Sequence, residues 1–132
     1  MNDYFDLQRF VDAQNTFETY EQVLAELSDG KKRSHWIWFI FPQQKGLGRS
    51  HNSEYFGLDG AEEAKAFLNH PILGKILWEC CSLLITHAGK KNIRSIMGSS
   101  IDVLKLKTSM ELFDSISQND IFADVLKSFF DA

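Results

Sequence analysis

Ser100-Ile101-Asp102-Val103-Leu104-Lys105-Leu106-Lys107-Thr108-Ser109-Met110-Glu111-Leu112-Phe113 is the stretch whose spacing decides the fold. Val103, Leu106, Met110 and Phe113 recur at steps of three and four, the period of one face of an α-helix. Ser99 or Ser100 supplies a cap, so the pattern predicts a helix reaching about residue 116. Asn119 or Asp120 caps a last helix reaching residue 130. Working back, residues 93–97 form a short element ending at Gly98. Pro71 opens a helix with Ile72, Leu73, Ile76, Leu77, Cys80 and Leu84 near one side, closed by Gly89. Over 60–69, Asp59 and Glu62 fit a capping box, and Ala61, Ala64, Phe67 and Leu68 face inward. A helix from 16 or 17 to about 29 carries Phe17, Tyr20, Val23, Leu24 and Leu27, with Asn15 and Glu18 as its capping box and Gly30 as its stop. Leu7, Phe10 and Val11 mark a short helix over 6–14. Residues 34–41 are apolar almost all round, so periodicity does not separate buried helix from strand. Pro42 ends that run, and 42–53 reads as a loop with Gly46 and Gly48. The expected fold is all-α: one compact domain over 1–132, built from six or seven helices.

Composition agrees. The chain has 132 residues, 44% apolar and 24% charged, ordinary values for a globular domain that folds without a disulfide or metal staple. Residues 71–88 include Lys75 and Glu79 and fall short of the ~20 apolar residues of a membrane span. The acidic start, Met1 to Asp6, lacks the basic-then-apolar pattern of a signal peptide. The two cysteines, Cys80 and Cys81, are neighbours on a helix and diverge by about 100°, which excludes a disulfide between them. Buried, inert thiols and a cytoplasmic address are expected.

The charge is unevenly distributed. Fourteen Lys and Arg stand against 18 Asp and Glu, a net charge of −4. Yet residues 31–53 hold five basic residues (Lys31, Lys32, Arg33, Lys45, Arg49) and no acidic one. Residues 87–107 hold five more (Lys90, Lys91, Arg94, Lys105, Lys107) against Asp102 alone. Such separation suits a small anionic partner, because a local potential can be positive on an acidic protein. The plain reading is that Lys31, Lys32 and Arg33 follow a helix C-terminus, where cations are favoured anyway. Nucleic acid is disfavoured as a partner, since nucleic-acid-binding domains are usually basic overall. Nothing indicates a membrane partner, and the oligomeric state is not legible.

Chemistry-bearing residues concentrate in Lys32-Arg33-Ser34-His35-Trp36-Ile37-Trp38-Phe39-Ile40-Phe41-Pro42-Gln43. Aromatic rings beside polar groups offer stacking faces and directed hydrogen bonds. Trp38, Phe39 and Ile40 read as core, whereas His35, Trp36 and Gln43 at the polar ends are ligand-binding candidates. Gly46, Gly48 and Arg49 belong to a basic loop whose backbone could approach a phosphate, although its spacing matches no phosphate-binding fingerprint. Asp102, Lys105 and Ser109 share one helix face, so Lys105 and Ser109 join the binding candidates. His35, Lys105 and Ser109 are also candidates for catalysis: an imidazole passes protons near neutral pH, and a lysine one turn from a serine can act as base. The plain alternative pairs Asp102 with Lys105 at the surface. The histidines show no metal-ligand spacing; His51-x-x-Glu54 would bring two ligands together only on a helix. No metal or cofactor is expected.

Five segments recur together elsewhere: Asp6 to Phe10, Lys32 to Gln43, Gly46-Leu47-Gly48, His70-Pro71-Ile72-Leu73-Gly74 and Asp102 to Phe113. With them the chain resembles, over nearly its whole length, a bacterial family of unknown function, number eighteen-ten, some members of which are labelled "calpastatin". The resemblance implies a mostly helical domain and no established activity. The label itself has no support, since an inhibitor of that kind is disordered and this chain has a core's composition. Members of the family often continue past a motif like Phe129-Phe130; without such an extension beyond Ala132, a site it covers in relatives is expected to be more open here. Two classes of function follow. One is a binder of an anionic nucleotide- or sugar-phosphate-like molecule, with or without hydrolytic activity, in which His35, Trp36, Gln43, Lys105 and Ser109 line one cavity. The other is a non-catalytic helical interaction module.

Overall fold

Residues 3–16, 19–48 and 50–130 are described by a computed structural model of the chain. In order they form α1 (Gln8–Asn15), α2 (Thr19–Asp29), α3 (Ile37–Ile40), α4 (His51–Tyr55), α5 (Gly60–Asn69), α6 (Leu73–Ile85), α7 (Ile93–Met97), α8 (Ser100–Ile116) and α9 (Ile121–Phe129). Among the described residues the one strand-like feature is an isolated parallel bridge between Gln44 and Leu58. The protein is therefore all-α, but with nine helices among the described residues rather than six or seven. The additions, α3 and α4, are about one turn each, too short for an apolar stripe to repeat. Phe17, Glu18 and Ala132, and with them the Asn15–Glu18 capping box, lie outside the described residues.

The two longest helices organise the core. α8 packs against α3, α5, α7 and α9, and α6 against α2, α3, α5 and α9. Leu106, Met110 and Phe113 of α8 are fully buried, as are Leu73, Leu77, Cys80, Cys81 and Leu84 of α6. Phe113 lies between Phe67 of α5 and Phe122 of α9, with ring centroids 5.7 and 5.4 Å away. Among the described residues no helix is long and apolar enough to cross a membrane.

Caps set the helix ends. Ser99 Oγ accepts from the Asp102 amide, Asn92 Oδ1 from Ser95 and Asp120 Oδ1 from Ile121. The Asp3 carboxylate takes the Leu7 and Gln8 amides at the start of α1, which holds its carboxyl below the usual range. α5 departs from expectation. Glu63, not Glu62, reaches back to the Asp59 amide (2.7 Å), and Asp59 makes no side-chain cap. The other Glu63 oxygen pairs with Arg9 at 2.8 Å, deep in the protein. Arg9 also donates to the carbonyls of Phe5, Asp6, Tyr55 and Gly57. This pairing turns Glu63 inward and leaves Ala61 exposed. Ile72, at the N-cap of α6, is likewise exposed rather than packed.

The aromatic run needs a larger correction. Trp36, Ile37, Ile40 and Phe41 are buried, whereas Trp38 and Phe39 are only half-buried. On the single turn of α3, Ile37, Ile40 and Phe41 share the inward face at steps of three and four, and Trp38 falls on the side toward solvent.

Phe113→Ala is expected to cost about 3–5 kcal/mol, read as a lowered denaturant midpoint at unchanged slope. Burial pushes the Cys80 and Cys81 thiols far above the ordinary range, with Glu79 adding to the effect at Cys80. Both should therefore resist alkylation in the folded protein and react at a free-cysteine rate only on unfolding, as a timed mass-spectrometric assay would show.

Candidate functional site

Glu26, on the inner face of α2, is buried and ties down the segment that leads into α3. Its Oε1 accepts the backbone amides of Arg33 (2.7 Å) and Ser34 (3.1 Å) and the indole N–H of Trp36 (2.9 Å), and its Oε2 the Ser34 hydroxyl (2.6 Å). Burial alone would push this carboxyl up; the bonds from Ser34, Arg33 and Trp36 outweigh it and hold it at about 2. The segment thus clamped turns Trp36 inward and leaves His35 exposed.

A second clamp joins this segment to the start of α8. Lys32 Nζ lies 2.9 Å from Asp102, with side-chain exposures of 6% and 18%. The same ammonium donates to the Ser34 carbonyl and sits 5.0 Å from the centre of the Trp36 ring. Asp102 therefore pairs with Lys32, not with Lys105. Among the described residues no carboxylate lies within salt-bridge distance of Lys105, whose Nζ is 3.4 Å from Ser53 Oγ.

Between the clamps lies an open cleft of about 330 Å³, bordered by Lys32 to His35, Trp38, Met97 to Ser99, Ile101, Asp102 and Lys105. That volume falls within the range of small-ligand sites. His35 and Lys105 thus border the same cleft. Behind Lys105 and Trp38 lies a smaller pocket of about 10 Å³, lined also by Ile37, Phe41, Gln43, Ser53 and Phe56. Gln43 reaches it because the backbone is clipped there: Leu58 N donates to Gln43 O (2.9 Å) and Lys45 N to Leu58 O (2.8 Å). Thr108 on α8 then donates to Gln43 Oε1 at 2.9 Å.

Not every expected residue joins. Trp36 is in the core, its N–H spent on Glu26, and Trp38 takes the wall position instead. Ser109 is fully buried, with no partner for its hydroxyl among the described residues, and borders neither cavity. It is therefore out of reach of a substrate. Gly48 packs so closely on Ser53 that a Cβ would lie 2.4 Å from its Oγ, a structural use of that glycine. Gly46 is exposed with φ +96°, a turn conformation. Arg49 lies outside the described residues. Residues 51–55 are helical, but His51 stacks on Tyr55, and no group of three possible metal ligands exists among the described residues. The two basic segments also meet elsewhere: Lys31, Lys90 and Lys91 line a shallow cleft of about 510 Å³ at the end of α2, where Lys91 donates to the Asp29 carbonyl. No aromatic residue lines it.

Sequence reasoning missed Trp38, Ser53 and Ile101 as wall residues. The available signal was the two-residue offset between Trp36 and Trp38, which puts them on opposite sides of a helical turn and which an all-apolar run conceals.

Fold and site define a small, wholly helical domain with an aromatic and cationic cleft beside its longest helix. The family described as "Protein of unknown function (DUF1810)" matches residues 4–132, and the chain belongs to it. A solved structure similar to it is that of the conserved hypothetical protein Rv1873 from Mycobacterium tuberculosis, with 42% identity and a TM-score of 0.91. The match covers 97% of this chain and 89% of that one. No protein of curated function matches the chain.

The Glu26 clamp predicts an acid limb of stability. A carboxyl held at about 2 against an ordinary 4.5 stabilises the fold fully above pH 4.5. That contribution, on the order of 3 kcal/mol, is lost as pH falls from 4.5 toward 2. In denaturant titrations across that range, Glu26→Gln should be less stable at pH 7 and should lose this part of the acid dependence.

Proposed function

We propose that the cleft bordered by His35, Trp38 and Lys105 binds an anionic small molecule of nucleotide- or sugar-phosphate-like chemistry. The observation that carries this reading is Lys105, a half-buried cation with no carboxylate partner among the described residues, beside the half-buried ring of Trp38. Lys32 is neutralised by Asp102, and Arg33 lies 3.3 Å from Asp29 at the surface, so Lys105 is the cation of this cleft left for an anion. The aromatic wall supplies a stacking face, and exposed His35 stands where it can donate to the same molecule. Turnover is a separate matter. Of the three catalytic candidates, Ser109 is buried away from the cleft, so hydrolysis would fall to His35 acting on a bound water.

The competing reading, a non-catalytic interaction module, draws on Trp78, which is 51% exposed above a groove formed with Leu24 and Leu83. A contiguous apolar surface marks a contact face where a lone exposed side chain does not, and here Trp78 adjoins Leu24 and Leu83.

Thermal-shift screening of nucleotides, ADP-ribose derivatives and phosphorylated metabolites separates the two. A ligand at 100 times its dissociation constant adds about 2.7 kcal/mol of stability. Lys105→Ala should remove that shift while leaving the unliganded melting temperature within about 3 °C of the parent. A ligand that stabilises both proteins equally would place the site elsewhere.

A further inference from the structure

We propose that the small pocket behind Lys105 seats one terminal oxygen of a phosphate group, so that the ligand of the cleft is a phosphomonoester and not a phosphodiester. This rests on the reading of the cleft as an anion site and states which end of the ligand goes inward.

The pocket is short of acceptors. Trp38 forms one wall, and its indole N–H is buried with no acceptor among the described residues. Gln43 is 9% exposed; its Oε1 is taken by Thr108, which leaves its Nε2 with no acceptor among the described residues. Lys105 contributes an ammonium, a donor without acceptor capacity. Ser53, 4% exposed, accepts from the Ser50 hydroxyl at 2.9 Å. A buried donor without an acceptor is costly, and that of Trp38, with the amide of Gln43 and the ammonium of Lys105 at the same pocket, calls for an atom with several lone pairs. Water brings lone pairs together with two hydrogens that need acceptors of their own. An oxyanion oxygen brings lone pairs alone, and its charge strengthens each bond.

Size selects the group. About 10 Å³ admits one water-sized atom and no more. A phosphomonoester presents three terminal oxygens at the end of the molecule, and one can enter while the others stay at Lys105 in the outer cleft. A diester carries a second carbon substituent on phosphorus, which would have to fit beside Trp38 and Lys105, the two residues common to pocket and cleft, before a free oxygen arrived. The seventeen-residue helix α8 begins at the outer cleft, so its positive end and Lys105 together suit a dianion better than a monoanion.

The test uses adenosine 5′-monophosphate, its phosphate methyl ester and adenosine, titrated by two-dimensional ¹H–¹⁵N NMR. The chain has three tryptophans, hence three indole N–H resonances, and Trp38→Phe assigns one of them. The Trp38 resonance should move with the monophosphate and not with adenosine. The monophosphate should bind at least about tenfold more tightly than its methyl ester, the size of one hydrogen bond to a charged group. Trp38→Phe, which removes the donor and narrows the stacking face, should weaken both phosphate compounds but erase the preference between them. Ser53→Ala is the second variant, with the same expectation for the preference, should the first not fold. Equal binding of monoester and methyl ester, or a preference that survives in the folded variants, overturns the inference and leaves the cleft reading standing. If neither phosphate compound shifts any resonance of the cleft, both fall together.

Discussion

The carboxylate of Glu26 holds the rest of the site in place. It receives four hydrogen bonds from three residues of a segment that has no regular structure of its own, at positions 33, 34 and 36. A buried, unpaired charge would be severely destabilising, so those donors must be satisfied together or not at all. The consequence is geometric. Fixing the Arg33 and Ser34 amides and the Trp36 indole sets where α3 begins, and α3 sets which tryptophan faces inward. Trp36 becomes part of the core, and Trp38 becomes the wall shared by the cleft and the pocket behind it.

Two ion pairs extend the same logic. Lys32 with Asp102 ties this segment to the first turn of α8, and Arg9 with Glu63 ties α1 to α5 and to the carbonyls after α4. Buried pairs gain little net stability, because desolvation offsets most of their attraction. Their effect here is on register. The Lys32–Asp102 pair brings the turn that carries Lys105 against the segment that carries His35. The Arg9 contacts hold Tyr55 and Gly57, next to the Leu58 strand pairing that positions Gln43. Two of the groups bordering the pocket, Lys105 and Gln43, are thus placed by acids that do not touch it.

This explains what was legible beforehand. α5, α6, α8 and α9 announce themselves because an apolar face repeats over several turns; the Leu106, Met110 and Phe113 stripe needs no partner to be recognised. Residues 31–56 do not, since α3 and α4 are shorter than two periods and the run around Trp38 is apolar on every side. The buried acids were invisible for a different reason. Glu26 and Glu63 look like surface residues on amphipathic helices, and only partners seven to ten residues away in one case and 54 in the other draw them inward. Asp102 was legible as a charged neighbour of Lys105 on one helix face. Its capture by Lys32, seventy positions earlier, was not.

That capture also decides which lysine of the cleft is compensated. Had Asp102 paired with Lys105, the cation of the cleft without a carboxylate would be Lys32, on the wall away from Ser53 and Gln43. With Asp102 turned toward Lys32, the carboxylate compensates a cation that is already buried and stacked near Trp36. Lys105 is left facing Ser53, at a wall where Trp38 and Gln43 also lack acceptors among the described residues. The acidic excess elsewhere does not cancel this locally, because most of it is solvated and screened within about 8–10 Å, whereas a half-buried ammonium beside aromatic walls is screened far less. One salt bridge therefore does two things at once: it closes the fold at the start of α8, and it leaves the neighbouring lysine without a carboxylate partner among the described residues.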